Sequence, residues 1–225
     1  MQDVQAAVIT GSHSYDVKGL ERLFRRLEGV DAYVQHLNDF AASPEDVRDS
    51  YDAVVFYAMV LERGGPIDEN QPWYCGRPRT ALARLGTTGQ GIVVLHHGLL
   101  AYPEWRVWNA VVGMEDRSFV HYHDETVRVQ VVDAEHPITA GLADWDMLDE
   151  TYTMQDSGDG CRVLLRADHP RSMRDIAWTR THRNARVFCF QSGHNDDTWQ
   201  NESFRTVLRR GILWSARRRC DGSGE

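Results

Sequence analysis

Histidine is the side chain of this sequence best suited to proton transfer or metal ligation near neutral pH. It stands close to glycine in three segments, Gly11-Ser12-His13, His96-His97-Gly98 and Ser192-Gly193-His194-Asn195, and a fourth segment, Asp149-Glu150, offers carboxylates. Imidazoles and a carboxylate converging on one cleft would suit general acid–base chemistry, or a divalent metal polarising a carbonyl or a water. Each segment also has an ordinary structural use. His13 can help a turn meet a helix, Asn195 and Asp196 are good N-cap types beside His194, and Asp149 or Glu150 can be a turn acid. Neighbouring residues at a strand end face opposite ways, so only one of His96 and His97 is expected to aim into the cleft. His121 and His123 are two apart and share a face if extended, a pair that needs a third ligand before it means a metal site.

These segments need elements to position them, and the hydrophobic pattern supplies a parallel sheet. Val4 to Thr10 reads as a buried strand leading through Gly11-Ser12-His13 into an amphipathic helix with Leu20, Leu23, Phe24 and Leu27. Val30 to His36, Tyr51 to Tyr57 and Gly91 to Leu95 read as three more strands, with helix starts at Ser43-Pro44-Glu45 and near Arg77. Continuous apolar strands alternating with helices imply a parallel sheet covered on both faces. The second half changes character. Thr126 to Val132 alternates polar and apolar residues, and shorter strands are expected at Glu150 to Met154, Val163 to Ala167, Asp175 to Arg180 and Arg186 to Gln191. A helix over Glu202 to Ala216 closes the pattern, and His136 to Leu142 predicts a turn with a short helix ended by Gly141. Ligands of an open parallel sheet bind beyond the carboxyl ends of its strands, where the histidine segments lie.

Composition bounds the function. With 225 residues and no linker rich in Pro, Gly or Ser, one domain over residues 1–219 with a polar tail at 220–225 is expected. The net charge of −8 argues against a nucleic-acid backbone, and Arg217-Arg218-Arg219 suits the end of the last helix. No apolar run approaches the roughly 20 residues of a membrane span, and the N-terminus shows no secretory pattern, so a cytoplasmic protein is expected. The four cysteines, Cys75, Cys161, Cys189 and Cys220, are far apart, which disfavours a disulfide framework or a cysteine metal cluster. Lys18 is the only lysine.

The segments in order resemble the trehalose-utilisation, or ThuA-like, family. The residues carrying the resemblance are GIVVLH at 91–96, Glu104-Trp105 with Val112-Gly113, HPITAGL at 136–142, Asp149-Glu150-x-Tyr152, Ala177-Trp178-Thr179-Arg180, Gly193-His194 and Gly211-Ile212-Leu213-Trp214. The resemblance spans nearly the whole chain. It implies an α/β, flavodoxin-like fold of the class I glutamine amidotransferase type: a mostly parallel sheet with helices on both faces and extra antiparallel strands in the second half. In amidotransferases a nucleophilic cysteine occupies the sharp turn after a central strand. Here His96 takes that place, which removes the thiolate that forms a glutamyl thioester, so that reaction is not expected.

The resemblance implies a role in the utilisation of trehalose or a related disaccharide or keto-sugar, and the resulting expectation is an enzyme acting on such a sugar. His96, His13, His194 and Glu150 are the expected catalytic groups, with His96, His13 and His194 as ligands should zinc be bound. His97, Asp149, Tyr152 and Trp199 are expected to contact substrate, Trp199 by stacking on a sugar ring. The alternative is a non-catalytic sugar-binding or accessory module on the same scaffold. Exposed tryptophans are expected to serve a homodimer contact.

Overall fold

A computed structural model describes residues 2–61, 72 and 76–220. Nine strands form one sheet in the order β2-β1-β3-β4-β9-β8-β7-β5-β6. The strands are β1 Val4–Thr10, β2 Val30–His36, β3 Ala53–Phe56, β4 Gly91–Leu95, β5 Val120–Val131, β6 Trp145–Thr153, β7 Arg162–Asp168, β8 Asp175–His182 and β9 Ala185–Phe190. From β2 to β9 every neighbouring pair is parallel. From β9 to β6 every pair is antiparallel.

The hydrophobic pattern explains both halves. All residues of β3 and β4 are buried, as strands covered on both faces must be. In β5, Val127 and Val129 are buried while Arg128 and Gln130 are exposed, the alternation of a sheet with one wet face. The helices are α1 Val17–Arg25, α2 Leu37–Ala42, α3 Glu45–Asp49, α4 Pro78–Ala83, α5 Arg106–Val112, α6 Asp196–Trp199 and α7 Glu202–Ser215. Helix α7 buries Phe204, Val207, Leu208 and Ile212 against β4 and β9, so the last helix lies beneath the centre of the sheet.

Several elements differ from the pattern-based expectation: strand β6 begins at Trp145 and not at Glu150, and helices α5 and α6 have no counterpart in it. Strand β5 begins at Val120, upstream of the alternating run, because pairing with β6 carries the polar stretch HYHDE through a bulge between Tyr122 and Glu125. Helix α2 is too short for an apolar period to show, and it starts where His36 Nδ1 accepts the Asn38 N–H at 3.1 Å. The His136–Leu142 segment forms successive turns and no helix. The tail also begins later than expected: Cys220 is 6% exposed and packs with the core. Residues 221–225 and Cys75 lie outside the described residues.

His136 anchors these turns and makes them sensitive to pH. It is 3% exposed, and its Nδ1 accepts the Ile138 N–H at 3.2 Å. Burial, reinforced by Arg162, pushes its pKa down to about 4. Between the ordinary value near 6.5 and about 4, the unfolded chain binds a proton that the folded chain refuses. Stability present above pH 6.5 is therefore lost as the pH falls toward 4. The loss of stability between pH 7 and 4.5 in urea unfolding is expected to be larger in the wild type than in His136→Asn, whose amide oxygen still accepts the Ile138 N–H, by on the order of 1–2 kcal/mol. Equal losses in both proteins would remove His136 as the cause.

Candidate active site

The carboxyl end of β4 runs into a sharp elbow. His96 takes φ +46°, in the left-handed region, and residues His96–Leu100 form one 3-10 turn. Gly98 permits the turn, since a Cβ there would lie 2.3 Å from the Phe56 carbonyl oxygen. Strand alternation ends at this elbow, so His96 and His97 are both buried and both contribute to the same cluster. The expectation that only one of them would face the site is corrected by this backbone geometry.

His96 is held from both sides of its ring. Nδ1 lies 2.5 Å from the Gln191 carbonyl oxygen at the end of β9. A carbonyl only accepts, so Nδ1 carries the proton and Nε2 presents its lone pair. Tyr152, on β6, donates its hydroxyl to that Nε2 at 2.8 Å. Burial pushes the His96 pKa down to about 3, which keeps the ring neutral.

Glu150 and His194 form the ionic part of the centre. Glu150 Oε2 lies 2.8 Å from His194 Nδ1 and 3.2 Å from His123 Nδ1. Burial alone would raise the Glu150 pKa, but the His194 hydrogen bond and the neighbouring imidazoles outweigh it and bring it down to about 2. Burial alone would lower His194, but its hydrogen bond to Glu150 and the charges of Glu150 and Asp149 raise it. The pair is therefore an imidazolium and a carboxylate on the acid side of neutrality.

His97 completes the cluster differently. Both of its ring nitrogens are buried with no hydrogen-bond partner. Its pKa is driven strongly down by burial and by His96, His13 and His194. One ligand atom each from His96, His97, Glu150 and His194 lies within 4.8 Å of the other three. Three imidazoles and one carboxylate form a donor set that zinc accepts.

The ThuA family, described as trehalose utilisation, matches residues 9–215, a span that contains the elbow, Glu150, Tyr152 and His194. This chain belongs to the ThuA family. A protein described as ThuA-like from Parabacteroides merdae superposes with a TM-score of 0.71 at 18% identity, over 100% of this chain and 94% of its own. A cytoplasmic protein from Salmonella typhimurium gives 0.68 at 14% identity, over 94% and 99%. A glutamine amidotransferase from Thermotoga maritima gives 0.56 at 10% identity, over 96% and 99%. At such identities the likeness is one of fold, and it places the ThuA chain in the class I glutamine amidotransferase-like architecture. No curated protein sequence matches the chain.

Around this ThuA-family centre the expected residues divide. His96, His194, Glu150 and Tyr152 lie together, and His97 joins them. His13 stands at the rim: it is exposed, its ring centroid 4.0 Å from that of His97 and 6.5 Å from that of His194. His97 and Glu150, and not His13, stand with His96 and His194 in the group of donors that could hold a metal ion. Asp149 is a positioning residue, because its oxygens already accept from Gly193 N at 2.9 Å, His194 N at 3.0 Å, Thr198 Oγ1 at 2.8 Å and Glu150 N at 2.9 Å. Trp199 is 1% exposed and donates its indole N–H to the Gly193 carbonyl, so it offers no face to a sugar.

Of the other tryptophans, Trp105, Trp108, Trp145, Trp178 and Trp214 are buried or half-buried and Trp73 lies outside the described residues, so no described tryptophan is an exposed dimer contact. His123 is the group that the strand-end rule missed. Its signal was the i, i+2 spacing with His121, which puts both on the β5 face nearest Glu150. No helix among the described residues is long and apolar enough to cross a membrane.

Proposed function

We propose that this ThuA-family chain is an enzyme of carbohydrate utilisation acting on a sugar or keto-sugar, with zinc held by His96, His97, Glu150 and His194. The observation that carries the reading is the His97 ring, buried with two unpartnered nitrogens beside three other donors. Leaving one buried polar group unpaired costs about 1–3 kcal/mol, and a cation would relieve that cost. A bound divalent cation supplies Lewis acidity toward a sugar carbonyl or a water.

The protein groups supply the remainder. His194 keeps its Nδ1 hydrogen against Glu150, which would leave Nε2 as the nitrogen offered to the cation. Glu150 stays ionised and orients that imidazole. The Tyr152 hydroxyl occupies the same His96 Nε2 lone pair and would turn aside for the cation. Amidotransfer is disfavoured because the elbow carries imidazole in place of thiol, and Cys161, Cys189 and Cys220 rest against the backbone of Gly113, Val112 and Arg210, away from the elbow. The substrate class rests on the family's description as trehalose utilisation.

Elemental analysis of protein purified without chelator tests the centre, together with chromatography of disaccharides and keto-sugars after incubation. About one zinc per chain, falling at least about tenfold in His97→Ala, is the expected result, since ligand loss weakens such sites strongly. Zinc-free protein that still converts a sugar would overturn the metal assignment. A sugar that binds without conversion would favour the non-catalytic module.

A further inference from the structure

The sheet ends in two edge strands, and the chain protects only one of them. On β6 the carbonyls that face away from β5 are taken: Asp146 O accepts the Asn201 side-chain amide, Leu148 O the Thr198 hydroxyl, Glu150 O the Gln191 side-chain amide and Tyr152 O the Met173 N–H. Helix α6 packs on the same strand. At the other end, β2 pairs with β1 alone, in parallel and in unbroken register over all 7 of its residues.

The ladder fixes which way the β2 backbone points. Val4 donates its N–H to the Gly29 carbonyl at 2.9 Å and the Thr10 hydroxyl donates to the Gln35 carbonyl at 3.2 Å, so the odd-numbered residues turn their peptide groups toward β1. Those of Ala32 and Val34 therefore point out of the sheet, and no described residue bonds them. Edge strands are ordinarily blunted by proline, lysine, a bulge or extreme shortness, and β2 has none of these. Its one carboxylate, Asp31, already accepts the Tyr33 hydroxyl at 2.8 Å. The middle of the strand is open and largely apolar. Tyr33 is 42% and Val34 36% exposed, and the Tyr33 ring lies 5.7 Å from that of Tyr51, which widens the aromatic surface.

We infer that β2 is a homodimer interface, on which β2 of a second copy adds in antiparallel fashion and joins the two sheets into one. The strand itself selects this partner and this register. A two-fold axis through Tyr33 is the one that pairs all 7 residues, setting Ala32 opposite Val34, Val30 opposite His36 and Tyr33 opposite its own copy. Ala32 and Val34 then exchange both of their hydrogen bonds with the other chain. The Val30 carbonyl meets the His36 N–H, while the Val30 N–H is already given to Leu27. Asp31 faces Gln35, so no like charges meet across the axis. The interface is independent of the sugar reading, since β1 and β3 stand between β2 and the strand that carries the elbow.

Sedimentation velocity and disulfide trapping of the full chain test the interface. At about 50 µM the wild-type chain is expected to sediment as a dimer. Val34→Lys, which puts a charge on the edge, and Ala32→Pro, which removes an outward N–H and no bond to β1, are each expected to raise the dimer dissociation constant at least about tenfold with an unchanged circular dichroism spectrum. Tyr33→Cys reads the register. The two copies of residue 33 form a non-hydrogen-bonded pair with Cα atoms about 4.5 Å apart, within disulfide reach. Oxidised glutathione is expected to link Tyr33→Cys chains into a covalent dimer, the two thiols giving their protons and electrons to form two molecules of reduced glutathione. Asp31→Cys chains, whose cysteines would stand roughly 13 Å apart, and the wild type are expected to run as monomers on the same non-reducing gel. A wild-type chain that is monomeric at this concentration, a dimer that withstands both edge variants, or a dimer that Tyr33→Cys fails to trap would each overturn the β2 interface.

Discussion

Replacing His96 by alanine is expected to reduce sugar turnover by about 10³-fold or more, because it removes a metal ligand and the ring against which Tyr152 and His194 are set. The substitution leaves the Gln191 carbonyl and the Tyr152 hydroxyl without their partner. That costs about 1–3 kcal/mol for each group, within the stability of a typical domain. Circular dichroism and thermal unfolding are therefore expected to report a folded protein with a modestly lower Tm, while zinc content falls. Wild-type turnover in the folded variant would exclude His96 from the chemistry. Tyr152→Phe separates the two contributions: it keeps the ring contact with His96 and removes only the hydroxyl, which would give up the Nε2 lone pair to a bound cation, so zinc is expected to stay bound while activity falls less than in His96→Ala.

Asp149→Ala is expected to have the largest effect on stability among the residues of the centre, on the order of 3–5 kcal/mol. Burial pushes the Asp149 pKa up to about 6, opposed by the backbone N–H groups of His194 and Gly193 and by the Thr198 hydroxyl. Four donors on one buried carboxylate favour its ionised form at neutral pH, and alanine would strand all four. Those donors belong to the loop that carries His194, so the loss reaches the chemistry as well as the fold. Thermal unfolding is expected to show a Tm lowered on the order of 10 °C. Asp149→Asn, which keeps one acceptor oxygen but turns amide hydrogens toward backbone donors, is expected to be nearly as damaging. A Tm within 2 °C of wild type in Asp149→Ala, on the scale of about 2–4 °C per kcal/mol for a chain of this length, would show that the loop is held by other contacts.

Much of the scaffold was legible because its signals are local. The runs VQAAVIT, AVVF and GIVVL can only be strands buried on both faces, and the spacing of Phe204, Val207, Leu208 and Ile212 can only be a helix with one apolar side. The carboxyl ends of the first, GIVVL and ARVFCF strands picked out His13, His96 and His194 without coordinates, and Glu150 was read beside a strand start although it lies inside β6. Elements without an apolar period escaped, as the polar start of β5 and the six residues of α2 show. The pairing that defines them lies on other parts of the chain.

The sequence by itself determined the strand set, the histidines at their carboxyl ends and the imidazole at the elbow, because burial pattern and strand direction depend on residue type and order. The tertiary structure decided which of those groups meet. It brought His97 inward through the left-handed turn at His96, drew His123 to Glu150 through the β5–β6 pairing, left His13 at the rim, and enclosed Asp149 and Trp199 as supports. These outcomes depend on a backbone dihedral, a strand register and the burial of side chains against distant partners. None of the three is encoded within a single local segment.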